Sequence, residues 1–298
     1  MKKHLIWIVS TGAILISIPF FTNATPSTKK TGENYIIKAL KIPNGIQFAG
    51  EGIPIHNIDV KERVDKEFLV NTYWQSNGLL LIKRAHKFFP IIEPILKKNN
   101  IPDDFKYLAV IESGLQNVTS PAGAKGFWQL MPATAREYGL EVNSNVDERY
   151  DLEKATNAAC QYILKAKEEF GTWTAAAASY NIGINGLGRR MEEQMVTSYY
   201  DVLLPDETSR YIPRIIAVKE ILSKPYDYGF VYEKNDLYKL PKYRTVKVDT
   251  AITNIASFAK NFNTNYKELK ILNPWLRENE LNNRSRKLYK IKIPETVK

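Results

Sequence analysis

Glu112 closes a run that starts at Phe105 and passes through Lys106, Tyr107, Leu108, Ala109, Val110 and Ile111. It lies seven residues after Phe105 and four after Leu108, on their side of a helix, so its carboxyl leaves water together with apolar neighbours. Desolvation disfavours the anion and raises the pKa toward the range in which one carboxyl both gives and takes a proton. A glutamate paired with a cation fits the same pattern, and the run alone does not separate the two. Other candidates for chemistry are few. Cys160 is the single cysteine, set within Ala158-Ala159-Cys160-Gln161-Tyr162, and reads as an inert buried thiol. His4, His56 and His86 lie far apart, which leaves no HExxH pair and no partner for a cysteine nucleophile. No metal ion or organic cofactor is expected.

A helix must hold Glu112 in place. Pro102 suits its first turn, and Asp103 and Asp104 suit its positive end. Ser113-Gly114 stops it, and Ser120-Pro121-Ala122-Gly123-Ala124-Lys125-Gly126 makes a tight turn before Phe127-Trp128-Gln129-Leu130-Met131-Pro132-Ala133-Thr134-Ala135. Three later segments follow in order: Asp147-Glu148-Arg149-Tyr150-Asp151 with Ala155-Thr156, then Ala177-Ala178-Ser179-Tyr180-Asn181-Ile182-Gly183, then Leu204-Pro205-Asp206-Glu207-Thr208-Ser209-Arg210-Tyr211-Ile212-Pro213-Arg214. Together these segments resemble the lytic transglycosylases that share the goose-type lysozyme fold, and most of all the membrane-bound lytic transglycosylase D type. The resemblance covers roughly residues 61–224.

It implies a lysozyme-like all-α catalytic domain in which Glu112 is the single acid/base. Ser120, Gln129, Met131, Tyr180, Asn181 and Glu207 match positions that line the family's glycan groove. Most glycosidases need two carboxylates across the scissile bond. The family instead uses groups of the MurNAc unit: its acetamido oxygen assists bond cleavage, and its C6 hydroxyl closes a 1,6-anhydro ring. Glu112 protonates the glycosidic oxygen and then deprotonates that hydroxyl, so water takes no part. Asn185 and Gly186 depart from the usual sequence after the Ala-Ala-Tyr-Asn motif, which bears on the shape of that loop. Met131, Phe127, Trp128 and Tyr180 also read as packing residues.

The fold class expected is mainly α. Helical periodicity places helices near 61–74, 78–98, 102–116, 132–137, 151–170, 173–182 and 207–223. Farther on, Arg244-Thr245-Val246-Lys247-Val248 and Leu288-Tyr289-Lys290-Ile291-Lys292-Ile293 alternate like strands around helices near 252–262 and 266–272. This β-α-α-β module, with Leu272-Asn273-Pro274 as its strongest segment, resembles a LysM domain. The resemblance implies glycan binding near Asp249, Thr250, Asn273 and Pro274. Val248 replaces the usual glycine before Asp249-Thr250, which points to weak affinity.

The expected organisation is a signal peptide over 1–24, a surface leader over 25–60, a catalytic domain over 61–230, a linker over 231–242 and the module over 243–296. Met1-Lys2-Lys3-His4, the apolar stretch from Leu5 to Phe21, and Thr22-Asn23-Ala24 follow the order of a secretory signal. Export to the periplasm or cell envelope is expected, with cleavage near Ala24; an uncleaved anchor is the alternative. No cysteine stands at the cleavage point, so lipidation is not expected.

The chain has 298 residues, 44% of them hydrophobic and 25% charged, which suits a folded chain rather than a disordered or multi-span one. Its formal charge is +10, and residues 231–298 hold 15 Lys and Arg against 7 Asp and Glu. The cations are scattered and form no run, so an anionic polymer such as cell-wall glycan is a better partner than nucleic acid. Peptidoglycan glycan strands are the expected partner of a monomer, with peripheral membrane contact left open. Two other functions stay open: a hydrolytic lysozyme on the same fold, and a peptidoglycan-binding protein without catalysis.

Overall fold

A computed structural model of the chain describes residues 37–295. The chain forms two units, 1–39 and 40–298, and the account below concerns the second. The expected signal peptide and its cleavage point lie outside the described residues.

A short antiparallel ladder of β1 (Gln47–Phe48) and β2 (Glu51–Gly52) precedes α1 (Ile58–Tyr73), α2 (Gln75–Lys98) and α3 (Lys106–Ser113). Then come α4 (Pro132–Glu137), α5 (Leu152–Phe170), α6 (Trp173–Ile182), α7 (Ile184–Glu193), α8 (Asp206–Ser209) and α9 (Tyr211–Ser223). The last part contains β3 (Tyr243–Val248), α10 (Ile255–Lys260), α11 (Tyr266–Leu272) and β4 (Tyr289–Pro294). The chain is mostly helical with small two-stranded sheets, as expected.

The helices start and stop on local signals. Asp151 caps α5 by accepting from the Lys154 amide at 3.0 Å, and Thr172 caps α6 by accepting from the Ala175 amide. Gly114 ends α3 in the left-handed region at φ 59°, as a helix C-terminus favours. In α6, Ala175 to Ala178 are fully buried, and their small side chains let α5, α7 and α9 pack closely around it. Trp128 fills the centre, its indole N–H donating to Thr156 Oγ1 at 2.9 Å.

Two expectations are corrected. Residues 25–60 were expected to run over the surface, yet Ile46, Phe48 and Ile53 are buried in the helical core. Glu51 also accepts from the Trp173 and Thr174 amides and the Thr174 hydroxyl, at 2.7, 2.8 and 2.6 Å, at the positive end of α6. Pro43, Gly45, Gly50, Gly52 and Pro54 interrupt its apolar residues, so no sustained period shows in the sequence. Helix α7 was not expected either, because Gly186 and Gly188 weaken its helical signal.

In the C-terminal module β3 pairs with β4 from Tyr243↔Pro294 to Val248↔Tyr289. Its core of Ile252, Ile255, Leu269, Trp275, Leu276 and Ile291 continues without a break into Val146 and Tyr150 of the helical domain. Backbone bonds cross the junction: the Asp147 amide donates to Trp275 O at 3.0 Å, and the Arg277 amide to Asn145 O at 2.9 Å. Asn145 Nδ2 donates to Glu280 O, and Asn145 Oδ1 accepts from the Asn282 amide. The stretch between the domains also lies against the helices, with Tyr232 and Leu237 packed against Ile82, Ile221 and Phe230.

Candidate active site

Glu112 sits in the last turn of α3, at the edge of a cavity of about 440 Å³ whose walls include Glu67, Asn71, Trp74, Arg210 and Arg214. Burial pushes its carboxyl up to about 7. The Tyr211 hydroxyl opposes this by donating to Glu112 Oε1 at 2.5 Å; the charge of Glu207 pushes the pKa up further, and that of Arg214 pulls it down. Such a carboxyl is populated in both protonation states near neutral pH, as a group that acts first as acid and then as base requires.

Glu67 is the second carboxylate at this cavity, and it is committed elsewhere. It is fully buried and accepts from Arg210 Nε at 2.5 Å, Arg214 Nε at 3.3 Å and Asn71 Nδ2 at 3.3 Å. Two guanidinium groups pair with its two oxygens and commit them within the protein.

Tyr211 is buried and Tyr180 half-buried beside Glu112, and desolvation, with its negative charge, raises each phenol well above the usual tyrosine range. Tyr180 Oη donates to Trp128 O at 2.8 Å, which ties α6 to the loop after α3. Asn181 Oδ1 accepts from the Thr208 hydroxyl at 2.7 Å, which fastens α6 to α8, where the exposed Glu207 stands.

The turn after α3 is held by its own residues. Ser120 Oγ accepts from the Ala124 amide at 3.0 Å. Gln129 has a φ of 44°, and its Nε2 donates to Val118 O at 3.2 Å and Gly126 O at 2.7 Å. The buried Arg149 pairs with Asp147 at 2.8 Å and also donates to Gly123 O and Leu130 O. Gly126 is required here: at φ 80°, a Cβ would fall 2.0 Å from Arg149 O. Met131, 43% exposed, stands at the start of α4 with its side chain open to solvent.

The expected residues of the helical domain therefore divide. Glu112, Tyr180 and Glu207 interact electrostatically, and Asn181 joins them through Thr208. Ser120 and Gln129 spend their polar atoms on the backbone of their own turn. In the module, Asp249 and Thr250 are exposed, with Asp249 paired to Arg286 at 3.0 Å. Asn273 is fully buried; its Nδ2 donates to Leu269 O and Lys292 O, and its Oδ1 accepts from the Lys292 amide. Its place is thus in the fold, between α11 and β4. Pro274 lines a crevice between module and helical domain.

Tyr211, Glu67, Arg214 and Trp74 were not singled out from the sequence. Tyr211 and Arg214 stood within a recognised segment, whereas Glu67 and Trp74 lie in and just after an ordinary-looking amphipathic helix. Cys160 is buried, which pushes its thiol up to about 12, as suits an inert packing residue. Among the described residues no group of three or more His, Cys, Asp or Glu is placed to hold a metal ion, and no helix is long and apolar enough to cross a membrane.

Residues 89–202 match the Transglycosylase SLT domain family, and residues 244–297 match the Soluble lytic transglycosylase C-terminal LysM-like domain family. The chain thus carries an SLT transglycosylase domain followed by a LysM-like domain. It is homologous to the membrane-bound lytic murein transglycosylase D of Escherichia coli (strain K12), with 31% identity over 184 residues, 60% of this chain and 40% of that protein. The protein of the same name from Escherichia coli O6:H1 (strain CFT073) matches with the same identity and coverage. The chain spans less than half the length of these relatives.

Proposed function

We propose that the protein is a peptidoglycan lytic transglycosylase that cleaves the β-1,4 bond between MurNAc and GlcNAc without water and leaves 1,6-anhydroMurNAc ends. The observation that carries this reading is Glu112, a desolvated carboxyl held near 7 at the edge of a cavity where the other buried carboxylate is locked by two arginines. Protonated Glu112 gives its proton to the glycosidic oxygen as the bond breaks, assisted by the substrate's acetamido oxygen. The resulting carboxylate then takes the proton of the C6 hydroxyl as the anhydro ring closes, which restores the acid. Tyr211 orients the carboxyl through its hydrogen bond, Tyr180 ties α6 to the loop after α3, and Asn181 ties α6 to α8. Trp74, 60% exposed on the cavity wall, offers an indole face for a sugar ring.

Export to the cell envelope, with the signal removed near Ala24, accords with this substrate. Mass spectrometry of muropeptides released from purified sacculi tests the reaction. Anhydro-ended products support it; reducing ends would mean hydrolysis, with the exposed Glu207 then a candidate second carboxylate; no products would leave a binding protein.

A further inference from the structure

We propose that the crevice between the helical domain and the LysM-like module binds the acidic peptide stem of a peptidoglycan strand. This rests on the reading of peptidoglycan as substrate. The crevice encloses about 380 Å³, and both domains build it: Arg84, Lys87 and Leu115 from the helical side, Ile271, Pro274 and Trp275 from the module. Gln116 lines both this crevice and the cavity of Glu112, so the two spaces adjoin. Arg84 bridges them as well, its Nη1 donating to the carbonyl of Gly114, two residues after Glu112, at 3.1 Å.

The lining discriminates between ligands. A sugar subsite needs an open aromatic face, and here each ring has a partner: Trp275 stacks on Tyr289 at 5.5 Å, Arg277 covers Tyr150 at 4.2 Å, Phe127 meets the edge of Phe88 at 4.7 Å, and lysines stand over Tyr238 and Tyr243 at 5.7 and 5.1 Å. Aliphatic surface from Ile271, Leu272 and Pro274 remains, which suits small apolar side chains. The charges suit a stem that carries carboxylates and one amine. Arg84 and Lys87 make no ion pair with any described residue, and both are only partly exposed, so an incoming carboxylate meets cations that are already partly desolvated. Lys292 is committed to Glu153 at 2.7 Å, and Asp151, on the crevice wall, faces the ammonium end. A strand whose saccharides lie along the Glu112 cavity can therefore lay its stem past Gln116 into the crevice.

Titration of the full chain with a free stem peptide, followed by calorimetry, tests this without turnover. Saturable binding is expected, weakened about tenfold in Lys87→Glu, retained in Lys87→Arg and lowered by added salt. In cleavage assays the preference for strands with stems over strands stripped of them should fall in Lys87→Glu. No binding at millimolar peptide, or equal binding by Lys87→Glu, would overturn the proposal, as would displacement of the peptide by a chitooligosaccharide, which would make the crevice a sugar subsite. If the peptide binds as expected and no strand is cleaved, the proposed reaction fails and the crevice assignment stands.

Discussion

Tyr211, the first residue of α9, donates its phenolic hydrogen to Oε1 of Glu112, in the last turn of α3, across 99 residues of sequence. The bond runs against the desolvation that surrounds it. Burial favours the neutral acid, the phenol favours the carboxylate, and the balance leaves Glu112 near 7.

Removing the phenol should therefore raise the pKa. In Tyr211→Phe the alkaline limb of the pH–rate profile is expected to move to higher pH by up to about one unit, the worth of one hydrogen bond to a charged group. A profile that keeps its position while activity falls would mean that Tyr211 acts only by packing.

Glu67→Gln should move the same limb the other way. It leaves the guanidinium of Arg214 without its counter-charge, so more of its field reaches Glu112 and favours the carboxylate. Two partly buried cations lose a partner, and folding should weaken by about 3–5 kcal/mol, read from denaturant titration. Opposite shifts in Tyr211→Phe and Glu67→Gln are the signature of this network.

Glu112→Gln is expected to cut release of anhydromuropeptides by at least about 100-fold, as loss of a positioned acid/base does. It should also stabilise the protein at alkaline pH. The carboxyl binds its proton more tightly folded than unfolded, so wild-type stability declines as pH rises from about 4.5 to about 7, and the whole penalty is present above that. Glutamine removes up to about 3 kcal/mol of it, so Tm at pH 8 should rise by several degrees and the difference should vanish below pH 4. An unchanged or lower Tm at pH 8 would contradict the pKa assigned to Glu112.

The LysM-like module should not melt separately. A module set behind a linker over 231–242, as the sequence suggests, implies two transitions; its core instead includes Val146 and Tyr150, and its Lys287 pairs with Glu141 at 2.6 Å and Glu148 at 3.3 Å. Calorimetry is expected to show one transition, and Leu276→Ala to lower it as a whole by about 2–5 kcal/mol. A chain ending near Lys224 should lose stability in the catalytic domain as well. Two resolved transitions would mean that the module folds independently behind its linker.

Gly126→Ala tests the turn that follows α3. Its Cβ has no room beside the Arg149 carbonyl, and the backbone is left-handed there, so the variant should lose at least about 2 kcal/mol of stability together with its activity.

Sequence alone was enough to place Glu112 at the end of an apolar helix, to mark most of the helices, and to read the β-α-α-β order of the module. Each rests on neighbouring residues: an apolar run that must be buried, Pro102 or Gly114 at a helix end, or alternation along β4. Tertiary structure decided what surrounds Glu112. Tyr211 and Arg214 act on it from α9, and Glu67 of α1 holds Arg214 in turn; a hydrogen bond or an ion pair between distant helices leaves no period and no spacing to read. It also decided that Phe48 belongs to the core, that Asn273 is spent on Lys292, and that the module shares a core with the helical domain, because burial depends on which surfaces meet in space and not on the order in which residues follow one another.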